Sequence, residues 1–124
     1  MNNIVYQQLF DKLQEGLPEE WDKVVLYIAY FEGSYAMKYY VKNDKNMYND
    51  CYSIKGLSNS KLAKLFIGMD KILTPEREAL GNKKWSVMTM IVSADGDFKV
   101  EYDYSKIDDI SLDYEEAWEK KYLK

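Results

Sequence analysis

The stretch Trp85–Tyr104, WSVMTMIVSADGDFKVEYDY, constrains the fold more than any other part of the chain. Two apolar runs flank Ala94-Asp95-Gly96-Asp97. Asp-Gly between alternating hydrophobic residues is a strong hairpin signal, because glycine takes a positive φ without steric cost. The second run alternates: Phe98, Val100, Tyr102 and Tyr104 on one side, Lys99, Glu101 and Asp103 on the other. That is the period of a half-buried strand, with the aromatic side read as core. The first run is apolar on both faces, Trp85, Val87, Thr89 and Ile91 against Met88, Met90 and Val92, which predicts a strand 85–93 at the centre of a sheet. Two registers are open. A two-residue Asp95-Gly96 turn sets Ile91 and Thr89 beside Val100 and Tyr102. A three-residue Ala94-Asp95-Gly96 loop with a glycine bulge sets Met90 and Met88 there instead.

The rest of the chain supplies partners for that hairpin. Val5, Tyr6, Leu9, Phe10 and Leu13 recur at helical spacing and predict a helix over 3–15, closed by Gly16. Glu19-Glu20-Trp21 suggests a short helical turn. Lys23–Phe31, KVVLYIAYF, reads as a strand that turns at Glu32-Gly33-Ser34 into a second strand, Tyr35–Val41. A turn at Asn43–Asn46 leads to a weaker third strand, Met47–Ile54. Ser58-Asn59-Ser60 opens a helix striped by Leu62, Leu65, Phe66, Met69, Ile72 and Leu73; Thr74-Pro75 either kinks it or starts another. After the hairpin, 105–110 is a polar link. Ser111 caps a last helix with Tyr114, Trp118 and Tyr122 on one face. The order α-βββ-α-ββ-α predicts an α+β fold, with one antiparallel sheet of about five strands and helices packed on it. With 124 residues and no composition break, 1–124 is expected to be a single domain.

Several chemistries are excluded. The chain has no histidine, which removes the commonest acid–base group and metal ligand and any Ser-His or Cys-His pair. Cys51 is the one cysteine and has no electropositive neighbour, so it reads as a half-buried strand residue and not a nucleophile. A single cysteine suits a reducing compartment, and the opening MNNIVYQQLFDKLQEG lacks the basic region and apolar core of a signal peptide, so a cytoplasmic location is expected. No run is long enough to span a membrane. Asp95-Gly96-Asp97 is a turn; a calcium loop needs further ligands and flanking helices. No catalytic residue, cofactor or metal is expected.

Charge is distributed unevenly. Residues 95–119 hold ten carboxylates against two lysines, a net charge of −8, whereas 1–94 hold twelve basic and eleven acidic residues. A face this acidic argues against nucleic acid as a partner. On its own it is as readily a solvated surface as a binding one.

Several features, taken in order, resemble one family. They are Leu17-Pro18-Glu19-Glu20-Trp21 before the strand at 24–31, Arg77-Glu78 closing the middle helix, Trp85 opening the hairpin and Gly96 with Phe98 after it. Tyr102-Asp103-Tyr104 and Trp118 before Lys121-Tyr122-Leu123 complete the set. The chain resembles the YezG-like immunity proteins, the EsaG-like antitoxins of type VII-secreted toxins. It departs from them in a Lys-rich 55–84 segment and in Lys83-Lys84 where a proline is usual. The resemblance implies a cytoplasmic antitoxin that binds a protein toxin domain, with a nuclease as the expected kind. The alternative is an adaptor or chaperone-like protein-binding module without a toxin. On the antitoxin reading the expected partner-binding residues are Glu101, Asp103, Asp108, Asp109, Asp113, Glu115, Glu116 and Glu119, with Glu101 and Asp103 on the outward side of their strand. Trp118 and Tyr122 either dock the last helix or touch the partner.

Overall fold

The computed structural model describes residues 3–43, 47–106 and 112–123. Three helices and one antiparallel sheet follow the order expected from the sequence. They are α1 (Asn3–Leu13), β1 (Lys23–Phe31), β2 (Ser34–Lys42), β3 (Tyr48–Asp50), α2 (Asn59–Glu78), β4 (Val87–Ser93), β5 (Phe98–Asp103) and α3 (Leu112–Tyr122). The five strands lie in the order β3-β2-β1-β4-β5. The expected centre is therefore corrected: β1 occupies it, and β4 is internal, one strand from the edge. Both strands are apolar on both faces, so periodicity alone does not rank them. β1 is the longer, and every residue from Val24 to Ala29 is buried.

A sheet apolar on both faces needs a cover on each. One face packs Val24, Leu26, Ile28, Tyr39, Met88 and Met90 against Leu9 and Leu13 of α1 and Leu62, Leu65, Phe66, Met69 and Leu73 of α2. The other face packs Val25, Tyr27, Ala29, Tyr40 and Val87 against Trp118 of α3. Trp85, just before β4, is 1% exposed. Arg77 lies over the Tyr30 ring at 4.5 Å and donates from Nε and a terminal nitrogen to the Trp85 carbonyl at 2.9 and 2.8 Å. Arg77 thereby ties the end of α2 to the start of the hairpin.

The hairpin adopts the bulged register. Met90 pairs with Val100 and Met88 with Tyr102. The Gly96 N–H donates to the Ser93 carbonyl at 3.0 Å, and Gly96 sits at φ +99°, a conformation that disfavours a side chain. This register turns the methionines toward α1 and α2 and Thr89 toward α3.

Other expectations change. The turn at Glu19–Trp21 is not helical: the Asp22 N–H already bonds the Lys42 carbonyl at 2.9 Å, and the Trp21 ring meets Phe10 edge-on at 6.1 Å. β3 stops at Asp50 because the Asp50 carboxylate accepts from the N–H groups of Tyr52 and Ser53, at 2.9 and 3.1 Å, and starts a short 3-10 turn. Cys51 lies in that turn and is fully buried, not half-buried in a strand, and burial pushes its thiol pKa up. α2 runs unbroken through Pro75, which lies on its exposed side, and Thr74 bonds Asp70 at 2.8 Å instead of capping a new helix. Phe98 and Tyr104, expected in the core, are 50% and 63% exposed, since β5 is an edge and Tyr104 lies beyond its last paired residue. The expected turn at 43–46 and the Ser111 cap fall wholly or partly outside the described residues.

Gly16 has a packing role. Its carbonyl accepts from the Tyr39 hydroxyl, and a Cβ there would overlap that hydroxyl and stand 2.7 Å from Leu65 Cδ2. Gly16→Ala is expected to destabilise the protein by about 1–3 kcal/mol through overpacking. A urea midpoint equal to that of the unsubstituted protein would show that Tyr39 shifts freely.

Candidate functional site

The acidic segment begins on β5 and ends on α3, so the way α3 sits on the sheet determines where the acids point. Trp118, 4% exposed, inserts between Tyr27 and Tyr40, with ring centroids at 4.8 and 5.7 Å. Its indole N–H donates to Thr89 Oγ1 at 2.8 Å. Tyr114 and Tyr122, one turn to either side, are partly buried on the same face. Of the two roles open to Trp118 and Tyr122, the geometry gives them the docking of the helix.

This docking changes the reading of the first two acids. Glu101 and Asp103 do lie opposite the larger core, but that side is not outward: α3 covers it. Tyr114 donates to Asp103 Oδ2 at 2.6 Å, and the Tyr122 hydroxyl donates to Glu101 Oε2. The Tyr114 hydroxyl first, and then the Ser105 N–H, hold the Asp103 carboxyl below its ordinary pKa. The Tyr122 hydroxyl first, and then Lys99 at 2.9 Å, do the same for Glu101. Both carboxylates stay ionised, and each has its hydrogen bonds met from within the chain. Burial, followed by the hydrogen bond to Glu101, raises the Tyr122 hydroxyl to about 12.

Two of the helical acids are also engaged. Glu115 pairs with Lys38 at 3.5 Å, and Glu119 accepts from the Tyr40 hydroxyl at 3.1 Å. Asp113 and Glu116 are exposed. Asp108 and Asp109 lie outside the described residues. The six described acids therefore divide by what they touch: four also fasten α3 to the sheet, and two stand exposed on the helix surface.

Between β5 and α3 lies a cleft of about 530 Å³, lined by Thr89, Glu101, Asp103, Tyr114, Trp118 and Tyr122 among others. Its carboxylates are already hydrogen-bonded, so it offers a fixed negative field and no protonated acid for proton transfer. Among the described residues, no group of three His, Cys, Asp or Glu side chains is placed to hold a metal ion. On the opposite face a second groove, of about 510 Å³, runs between α1 and the hairpin, lined by Tyr6, Phe10, Trp21 and Phe98 among others. Tyr6 meets Phe98 at 5.9 Å and its hydroxyl is 2.7 Å from that of Tyr102. The sequence does not distinguish this groove, because its aromatic residues fall at core positions of their own helix and strand.

No described helix is long and apolar enough to cross a membrane. No curated protein matches the chain. A family model described as Immunity protein YezG-like matches residues 2–124.

Proposed function

Because the chain belongs to the YezG-like immunity protein family, whose membership implies a protein toxin as partner, we propose that it binds and neutralises the toxic domain of a type VII-secreted toxin, a nuclease, in the cytoplasm of the cell that makes both. Residues 1–124 act as one domain, by binding and without catalysis. The observation that carries the nuclease reading is the net charge of −8 over residues 95–119. A nuclease presents positive charge to phosphate. A concentrated negative face is its electrostatic complement.

The partner-binding face comprises Glu101, Asp103, Asp108, Asp109, Asp113, Glu115, Glu116 and Glu119. Asp113 and Glu116, with Asp108 and Asp109, are its steering charges, and the four acids tied to α3 hold the field in place. Steering charges are individually weak, so neutralising any one of these four steering charges is expected to cost about 1 kcal/mol of affinity or less. Replacing Asp108, Asp109, Asp113 and Glu116 together by Asn and Gln is expected to slow association several-fold and to leave the fold intact. The unsubstituted protein's association rate is expected to fall steeply with salt.

Co-expression with the product of the adjacent gene, followed by co-purification and nuclease assay, tests the reading. Association kinetics across ionic strengths then test the face. Association indifferent to salt and to the fourfold substitution would reduce the acidic run to a solvated surface. An adjacent gene product that neither binds nor is inhibited would favour the adaptor reading.

A further inference from the structure

We propose that the outer edge of β5 captures an extended segment of the toxin as a sixth strand, with side chains alternately apolar and basic. The proposal rests on the toxin-binding reading and names the contact by which binding occurs.

The backbone directions come from the register. The Ser93 N–H donates to the Asp97 carbonyl at 2.8 Å, and the Ser86 N–H donates to the Asp103 carbonyl at 2.8 Å. In an antiparallel ladder alternate residues face the partner strand. Residues 97, 99, 101 and 103 therefore aim their peptide groups at β4, and Phe98, Val100 and Tyr102 aim theirs away from it. β5 ends the sheet, and no described residue pairs with its outer side. The opposite edge, β3, is three residues long and closes at once into the Asp50-capped turn. β5 offers six residues, with no proline among them. Natural edges of this length are ordinarily covered, kinked or broken.

The two sides of this edge differ, and the difference defines the occupant. On the α1 side stand half-exposed Phe98 and its neighbour Tyr6, beside the aromatic groove that continues to Phe10 and Trp21. On the α3 side stand Glu101 and Asp103, held ionised in the cleft. Side chains of an added strand alternate between these sides. Apolar residues suit the first and lysine or arginine the second. A second copy of this chain is a poorer occupant: pairing β5 with itself would bring together two segments that each carry a net charge of −8.

Hydrogen exchange of the chain alone and in complex with the product of the adjacent gene tests the proposal. In the complex the amides of Phe98, Val100 and Tyr102 are expected to become protected, whereas those of Lys99 and Glu101 are protected in both states. Val100→Pro removes one outward donor without removing a bond to β4, and proline is tolerated at such edge positions. It is expected to weaken toxin binding about ten-fold or more, the loss of a main-chain hydrogen bond together with its neighbours. Exchange at β1 and β4 shows whether the variant keeps its sheet; where it does not, the amide pattern of the unsubstituted complex decides. Binding and inhibition with all three amides unprotected would overturn the added strand and leave the toxin reading standing. Absence of any binding by the unsubstituted chain would remove both. Protection that grows with the protein's own concentration, alongside a dimer mass, would assign the edge to a second copy and overturn the proposal.

Discussion

Trp118→Ala is expected to release α3 from the sheet while β1, β2 and β4 stay paired. α3 has eleven residues, too short to be stable as an isolated helix. Its hold on the sheet is centred on one indole, packed against Tyr27, Tyr40 and Tyr122 and hydrogen-bonded to Thr89, itself 3% exposed. Truncation leaves a cavity and removes the indole donor from the buried Thr89 hydroxyl, a loss of about 3–5 kcal/mol. That is enough to unseat one helix without unfolding the domain, because the larger core under α1 and α2 does not include Trp118. The bonds from Tyr114 to Asp103 and from Tyr122 to Glu101 go with it, so the acidic face loses its fixed geometry; under the proposed binding role, toxin affinity is expected to fall with it. Trp118→Phe keeps most of the packing and loses the N–H bond, so a cost of about 1–2 kcal/mol is expected. Hydrogen exchange on α3 checks both variants. Unchanged protection of the α3 amides in Trp118→Ala would mean that Tyr114, Tyr122 and Leu123 suffice to dock the helix.

The elements were legible in the sequence because their signals are local. Helical spacing in α1 and α2, the Asp-Gly turn and the apolar run at Lys23–Phe31 each lie within one segment. Strand order, register and exposure escaped because they depend on distant segments. Strand order was not readable, because two strands apolar on both faces compete for the centre. The hairpin register differs by one residue between two loops that fit the same sequence, and burial of Met88 and Met90 under α1 and α2 decides it. The exposure of Phe98 follows from β5 being an edge, which alternation does not encode. The geometry of the candidate site was half legible. The charge of residues 95–119 is plain from composition. That Glu101 and Asp103 face α3 was hidden, although Tyr114 and Tyr122 at helical spacing, beside two acids at strand spacing, were the available signal.

Between about pH 10 and 12 the protein is expected to unfold, α3 first and the sheet after it, with ionisation of the buried tyrosines coupled to the loss of structure. Eight tyrosines, Tyr27, Tyr30, Tyr35, Tyr39, Tyr40, Tyr102, Tyr114 and Tyr122, have hydroxyls raised above their ordinary value of 10.0, and burial is the first cause in each. Tyr27, Tyr40 and Tyr122 are pushed up to about 12. Hydrogen bonds to carboxylates add to the rise at Tyr30 from Asp70, at Tyr114 from Asp103 and at Tyr122 from Glu101. The sign follows from linkage. The folded state holds these protons more tightly than the unfolded chain, so the stabilisation is complete below the unfolded pKa. It is lost as pH rises through the folded values. Ionising Tyr114 or Tyr122 also turns a hydrogen bond into repulsion between a phenolate and a carboxylate, so α3 is expected to leave the sheet before the strands separate. A Tyr114→Phe/Tyr122→Phe variant separates these effects. At neutral pH it loses two hydrogen bonds and is less stable; at high pH it lacks the two repulsive phenolates, so α3 departs at a higher pH relative to its neutral stability. Tyrosinate absorbance followed with circular dichroism across the titration checks both expectations. Tyrosinate that forms at all twelve tyrosines with the sheet intact would mean that the buried hydroxyls ionise in place, and that burial of the aromatic rings does not couple this fold to alkaline pH.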